Sequence, residues 1–228
     1  MVEVFRNNGD VHLKTASLIF KEEITSKQDP RRSIGKKVLF TTLYGGGASK
    51  IAADINIPLV EAKRVLNSFK ESYPNLHRIT DETYAAARLS GYILINPILG
   101  RKSYIKDFDK YKLIEKHIAR WESYGWGRDI HPKILNYFSY YDSKIKRHAG
   151  NYPIQGTGAD MTKQACINLS NDTRIVLMVH DEIVLICKRE DSLKIKDALE
   201  HAMLEASRKF NPILDVPGEG KITKTWNK

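Results

Sequence analysis

Apolar residues in this chain recur mostly at spacings of three and four, which is typical of amphipathic helices. The pattern predicts helices over residues 10–20, 58–73, 75–89 and 192–210. Pro58 starts the second of these helices, Pro74 separates it from the third, and Gly91 closes the third.

Two shorter segments have the pattern of β-hairpins. Residues 92–105 contain strand-like runs on either side of a turn at 97–100. In residues 175–186, two β-branched apolar runs flank the tetrapeptide Val-His-Asp-Glu. This second pattern predicts a buried hairpin that holds the carboxylate of Asp181 at a fixed point. The alternative is an ordinary turn, where aspartate and glutamate are common.

Residues 29–47 are the stretch around which we expect the rest of the chain to be organised. Asp29 can cap a helix, Pro30 suits its first turn, and the glycines at 45–47 end it. Four side chains recur inside it at every fourth position: Arg32, Lys36, Phe40 and Tyr44. This spacing makes one slowly winding stripe, about 18 Å long, with two cations followed by two aromatic rings.

The stripe has two interpretations. Cations near a helix N-terminus oppose the helix dipole, so stability alone would not select them there. Binding of a nucleoside triphosphate would select them, because cations bind phosphate oxygens while aromatic rings lie against the sugar and base. The alternative is an amphipathic helix with a solvated basic end, and this helix alone leaves both open.

Composition narrows the class of protein. The 228 residues carry a net charge of +10, and the pI of about 9.4 favours a polyanionic partner such as nucleic acid. We interpret Cys166 and Cys187 as reduced core residues of a cytosolic protein. The N-terminal residues lack the apolar run of a signal peptide, and no 18-residue apolar window predicts a membrane span.

Two motifs together carry a specific resemblance. The pattern R-x3-K-x3-F-x3-Y-G at 32–45 and the V-H-D-E at 179–182 resemble the second and third polymerase motifs of family A DNA polymerases, the DNA polymerase I type that many bacteriophages also use. A third pattern, Arg147, Asn151 and Gln155 followed by G-T-G-A-D, is similar to the R-x3-N-x3-Q segment of that family. The alternative is a polar helix face that ends in a capped turn. A further helix is predicted over residues 160–169. The resemblance covers nearly the whole chain and is weakest at 103–140.

The resemblance implies an α+β fold. Residues 1–19 would connect palm and fingers, 20–102 would form helical fingers, and 141–228 would form the C-terminal part of a right-hand polymerase palm. The hairpin with the metal-binding Asp181 would belong to that palm. Residues 103–140 would be an insertion of uncertain role, since their basic residues and aromatics fit either nucleic-acid binding or a helix with an aromatic inner face.

The resemblance also implies a reaction: template-directed transfer of deoxynucleotides (from dNTPs) to a primer 3′-hydroxyl with two Mg²⁺ ions. Asp181 would bind metal and Glu182 would support it. Arg32 and Lys36 would act on the triphosphate and so count as catalytic. Phe40 would stack near the incoming sugar, and Tyr44 would lie beside the nascent base pair.

The remaining implied contacts are with primer–template DNA. Arg147, Asn151 and Gln155 would reach the minor groove, where acceptors occupy similar places on every correct base pair. His180 would lie near the primer terminus.

The first motif of the family, D-Y-S-x-x-E, with its metal-binding aspartate, does not occur in residues 1–30. We therefore expect a bacteriophage-type split polymerase that works in the cytoplasm of a host cell. An N-terminal partner chain would supply the second catalytic aspartate, and an apolar surface would mark where that partner binds. The alternatives are a domain cut from a longer protein and a non-catalytic DNA-binding remnant or accessory subunit.

Overall fold

The computed structural model describes residues 2–7, 9–169 and 174–226. It is an α+β fold, as predicted, in which helices dominate and the strands form small antiparallel sheets. Contacts divide the chain into two units, one mainly of Asn7–Pro153 and the other mainly of Ile154–Lys228. Among the described residues, no helix is long and apolar enough to cross a membrane.

The elements follow one another in a simple order. The helices are α1 Val2–Arg6, α2 Val11–Phe20, α3 Arg31–Leu43, α4 Ala48–Ile55, α5 Leu59–Ser72, α6 Pro74–Ser90, α7 Phe108–Ser123, α8 Pro132–Asn168 and α9 Ser192–Phe210. The strands are β1 Tyr92–Asn96, β2 Arg101–Tyr104, β3 Arg174–Val179 and β4 Glu182–Ile186. Strand β1 pairs with β2 and strand β3 with β4, both antiparallel.

The ends of α3 are fixed by the chemistry that its sequence predicts. The Asp29 carboxylate accepts a hydrogen bond of 2.9 Å from the N–H of Arg31, next to the initiating proline. At the other end Gly45 adopts the left-handed conformation, with φ of 75°. The N–H of Gly46 then donates to the carbonyl of Thr41 at 2.7 Å, which completes a Schellman motif.

Helices α2 and α3 approach each other unusually closely at Gly35. A Cβ on this residue would lie 2.3 Å from the carbonyl oxygen of His12 and 2.7 Å from the nitrogen of Ala16. Both are backbone atoms, so no side-chain rotation could relieve the clash. The missing side chain of Gly35 therefore sets the distance between the two helices.

Within the segment 103–140, helix α7 contributes an aromatic residue to the core. Tyr111 of α7 is fully buried and its ring stacks on Phe138 of α8, with centroids 5.2 Å apart. The hydroxyls of Tyr111 and Tyr84 both donate to Asp142. Burial raises the pKa of Tyr84 to about 12, and the acceptor Asp142 adds to the shift. The first half of the segment thus forms the aromatic inner face that was one of the two interpretations.

Helix α8 differs from the sequence expectation. The G-T-G-A-D run suggested a turn, with a new helix beginning at Asp160, yet α8 runs unbroken from Pro132 to Asn168 with Pro153 inside it. Buried residues lie on both sides of Pro153 and the glycines that follow it, with Ile145 before them and Ala165 after them. Such packing outweighs the low helix propensity of proline and glycine.

The second unit packs α9 and the end of α8 against one face of the β3–β4 hairpin. Its buried core consists of Ala165, Leu169, Ile183, Ala202 and Ala206. The prediction that the whole hairpin is buried is wrong for β3, because residues 175–178 are each 38–50% exposed. In the described part of the chain β3 pairs with β4 alone, so no further strand covers it.

One smaller expectation also needs correction. Cys187 is exposed and not part of the core, whereas Cys166 is partly buried. Ile183 lies at the start of β4 and packs inward, and Cys187 lies just beyond the end of that strand.

The close approach at Gly35 predicts a strong effect of one methyl group. We expect Gly35→Ala to lower the free energy of unfolding by about 1–3 kcal/mol, because the added carbon must push α2 and α3 apart. Urea unfolding followed by circular dichroism measures this. Gly158→Ala is the matched control, since its Cβ would meet no atom of the described residues within 4 Å and alanine favours the helix. Equal stability of Gly35→Ala and the wild type would contradict the packing argument.

Candidate functional site

Helix α3 brings the four stripe residues together along one side. The ring centroids of Phe40 and Tyr44 are 5.7 Å apart, with their planes inclined by 21°. The Lys36 ammonium lies 5.9 Å from the Phe40 centroid. Arg32 occupies the first turn of the helix. The spacing of four residues therefore places two cations, followed by two aromatic rings, along one side of α3.

Arg32 is held in place by Asp10, the residue that caps α2. Its Nε donates to the Asp10 carboxylate at 2.7 Å, and 10% of the Asp10 side chain remains exposed. The same carboxylate accepts from the N–H groups of His12 and Leu13. Burial alone would raise the pKa of Asp10, but the hydrogen bonds from Arg32 and the two backbone groups outweigh burial and lower it. The carboxylate is therefore charged at neutral pH.

His12 is a neighbour of the stripe that the motif analysis did not include among the candidate site residues. Its ring lies 5.7 Å from that of Phe40, and its buried Nδ1 finds no hydrogen-bond partner among the residues that the structure describes. Burial lowers the pKa of His12, and the charges of Arg32 and Lys36 lower it further while Asp10 opposes them. The imidazole is thus neutral at pH 7. The tripeptide D-x-H at 10–12 was the sequence signal for it.

The cations at the start of α3 differ in how they are neutralised. Arg31 pairs with Asp29 and Glu22, each at 2.7 Å. Arg32 pairs with Asp10, whereas Lys36 forms no ion pair with any described residue. Lys36 is also exposed. Its charge is therefore available to an anionic ligand without first breaking a salt bridge.

A groove of about 500 Å³ opens beside Lys36 and Phe40. Its other lining residues are Ser33, Lys37, Thr41 and Asp54. The Thr41 hydroxyl donates to the Asp54 carboxylate at 2.7 Å, which links α3 to α4. The groove is open to solvent.

The β3–β4 turn presents the candidate metal ligand. Val179 pairs with Glu182, which leaves His180 and Asp181 as the turn itself. His180 has a φ of 53°, and the side chains of His180, Asp181 and Glu182 are all exposed. In the described part of the chain, no three His, Cys, Asp or Glu side chains lie close enough together to hold a metal ion.

The three polar residues of α8 lie in different settings. The backbone of Arg147 touches Gly45 at the end of α3, where a Cβ would lie 3.0 Å from the Arg147 Cα. Asn151 has a buried Oδ1 with no hydrogen-bond partner in the described part of the chain. Gln155 is exposed and belongs to the second unit. Arg147 is thus joined to the helix that carries the stripe.

Comparison with known proteins covers the whole chain. The model of the family described as DNA polymerase family A matches residues 1–228. DNA polymerase I of Caldicellulosiruptor bescii is 28% identical over 227 residues, which cover 96% of this chain and 23% of that protein. The DNA polymerase of Mycobacterium phage D29 is 30% identical over 187 residues, which cover 81% of this chain and 24% of that protein.

A solved structure shares the fold. The POL domain of Pol1 from M. smegmatis, in complex with DNA primer-template and dNTP, superposes with a TM-score of 0.71 at 24% identity. The match covers 95% of this chain and 34% of that chain. The present chain therefore spans about a quarter of the two curated relatives and a third of the solved domain.

The ion pair between Asp10 and Arg32 predicts a pH-dependent contribution to stability. Asparagine caps a helix as well as aspartate does, so Asp10→Asn removes the charge and keeps the cap. We expect the variant to be less stable by about 1–2 kcal/mol at pH 7. Because the folded-state pKa of Asp10 is lowered, this difference should vanish as the pH falls below 3.8 and through that folded-state pKa. Urea unfolding of both proteins across this range measures it, and a pH-independent difference would contradict the assignment.

Proposed function

The chain belongs to DNA polymerase family A, and on that premise we propose that it binds the incoming nucleotide and supplies one metal-binding carboxylate in template-directed DNA synthesis. The observation that carries the proposal is the stripe on α3. There Lys36, which has no ion-pair partner among the described residues, lies beside the stacked rings of Phe40 and Tyr44. A triphosphate combines the two chemistries that this surface offers.

Each residue of the stripe has a role that its setting supports. Arg32, oriented by Asp10, and the free Lys36 would hold the phosphates and offset the charge that develops on them during transfer. Phe40, packed beside the neutral His12, would support the sugar. Tyr44 would lie against the nascent base pair.

The residues of α8 and the hairpin turn would contact DNA. Asn151 has a buried acceptor with no partner among the described residues, and a donor on a base edge would satisfy it. Arg147 and Gln155 are exposed and can reach minor-groove acceptors. His180 would lie near the primer terminus. On this assignment residues 20–102 form the fingers and residues 141–228 the C-terminal palm, with 1–19 as the connection between them.

The donors at the hairpin turn fit Mg²⁺. This ion is usually bound by one or two carboxylates together with substrate phosphates and water, and Asp181 and Glu182 offer exposed carboxylate oxygens. Two such ions, when bound, would activate the primer hydroxyl and stabilise the leaving pyrophosphate. Asp181 is the direct ligand in this proposal, and Glu182 supports it.

We further propose that a second polypeptide, as in a bacteriophage-type split enzyme, completes the site. Two observations support this. The 228 residues contain no D-Y-S-x-x-E motif that would bring the second carboxylate. In addition, the apolar residues of β3 are 38–50% exposed. The edge of β3 opposite β4 pairs with no strand in the described part of the chain. An apolar strand of this kind is suited to pairing with another chain.

Primer extension with Mg²⁺ and four deoxynucleotides tests the proposal. One arm contains this chain alone, and the other adds the polypeptide encoded just upstream in its genome. We expect extension only in the mixture, and we expect Asp181→Asn to reduce it at least a thousandfold because the metal loses its ligand. Glu190→Gln removes a similar exposed carboxylate after the hairpin and should leave the rate unchanged.

The other outcomes are equally informative. Extension by this chain alone would contradict the requirement for a second polypeptide. If duplex DNA binds but neither arm extends a primer, the chain is a DNA-binding subunit and the catalytic proposal is wrong.

A further inference from the structure

Three exposed aromatic rings gather where α7 ends. Trp126 lies 6.2 Å from Trp121 and 5.3 Å from Tyr124 between ring centroids. Gly125 adopts the left-handed conformation with φ of 77°, and the N–H of Trp126 donates to the carbonyl of Trp121 at 2.9 Å. The turn of the backbone at Gly125 therefore brings the three rings together, and we call this group the α7 aromatic cluster.

Exposure separates this cluster from the core. Trp126 and Tyr124 are each 54% exposed and Trp121 is 39% exposed, whereas Tyr111 on the same helix is fully buried. The cluster thus contributes little to the core of the unit. Contiguous exposed aromatic surface of this kind marks an interaction site.

The charges around the cluster indicate what it binds. Residues 116–133 contain four lysines and arginines, none of which forms an ion pair with a described residue: Lys116, Arg120, Arg128 and Lys133. Only two carboxylates, Glu122 and Asp129, lie in the same segment. The Arg120 guanidinium lies 5.7 Å from the Tyr124 ring, so cation and ring are presented together. Positive charge interleaved with aromatic rings favours a nucleic acid over a protein surface.

We propose that the α7 aromatic cluster binds single-stranded DNA, with bases stacked on its rings and phosphates held by its cations. Unpaired DNA fits better than duplex because only unpaired bases expose the faces that stack. The site lies outside the stripe on α3 and outside the three sequence motifs, so it is separate from the proposed catalytic role. It would hold a DNA strand where that strand is not base-paired.

Tryptophan fluorescence reports directly on this cluster. The chain has three tryptophans, two of them in the cluster, and Trp226→Phe removes the third. In that background we titrate a twelve-residue oligothymidylate, which has no stable secondary structure. The proposal predicts quenching of the remaining fluorescence, because stacked bases contact Trp121 and Trp126. Binding without any quenching would overturn the proposal.

Variants separate stacking from general electrostatic attraction. We expect the pair Tyr124→Ala and Trp126→Ala to weaken oligothymidylate binding at least tenfold, measured by fluorescence anisotropy. The pair Tyr124→Phe and Trp126→Phe keeps the aromatic faces and should retain the affinity. Tyr104→Ala removes another exposed tyrosine outside the cluster and should change nothing. Circular dichroism confirms that each variant is folded.

Salt dependence tests the role of the cations. Arg120→Ala and Arg128→Ala should each reduce the slope of log affinity against log salt by about 0.7, the value for one phosphate contact on single-stranded DNA. Equal affinity of all variants, or tighter binding of a duplex of the same length, would overturn the proposal. Primer extension is not measured here, so this result and that of the proposed catalysis are independent.

Discussion

The close approach of α2 and α3 is the constraint on which the candidate site depends. Because Gly35 has no side chain, the backbone of α2 comes near enough for two contacts to form. Asp10 reaches Arg32, and His12 reaches the ring of Phe40. A wider separation would remove both contacts at once, although the stripe itself would remain on α3. Contacts from α2 thus orient the side chains of the stripe. The spacing of these residues along α3 could not orient them alone.

Electrostatics at the start of α3 follow from the same packing. Cations there oppose the helix dipole. Three carboxylates offset this charge: Asp29 and Glu22 pair with Arg31, and Asp10 pairs with Arg32. Lys36, one turn further along, has no such partner among the described residues. The surface therefore combines arginines held in ion pairs with Lys36, a cation beside aromatic rings that has no ion-pair partner in the described part of the chain. This uneven neutralisation has no evident structural purpose, but it suits the binding of a ligand with several negative charges.

Much of this could be predicted from local chemistry. Asp29 and the glycines at 45–47 mark the ends of α3, and Asp10 marks the start of α2, because caps depend on only a few neighbouring residues. The continuity of α8 through Pro153 could not be predicted, since packing far along the chain decides it. The exposure of β3 depends on which strands are available to pair, and the contact of His12 with Phe40 depends on two helices meeting. Sequence spacing identified the stripe, whereas only the structure shows what holds it.

The central claim is that the stripe on α3 binds a nucleoside triphosphate, and equilibrium binding tests it most directly. A fluorescent deoxynucleoside triphosphate is titrated into the chain with primer–template DNA, Mg²⁺ and the upstream polypeptide, and its anisotropy is recorded. We predict that Arg32→Ala and Lys36→Ala each weaken binding at least tenfold. Arg31→Ala removes the same charge from a residue that Asp29 and Glu22 already hold, and it should leave the affinity unchanged. Equal affinities for the wild type and all three variants would contradict the claim.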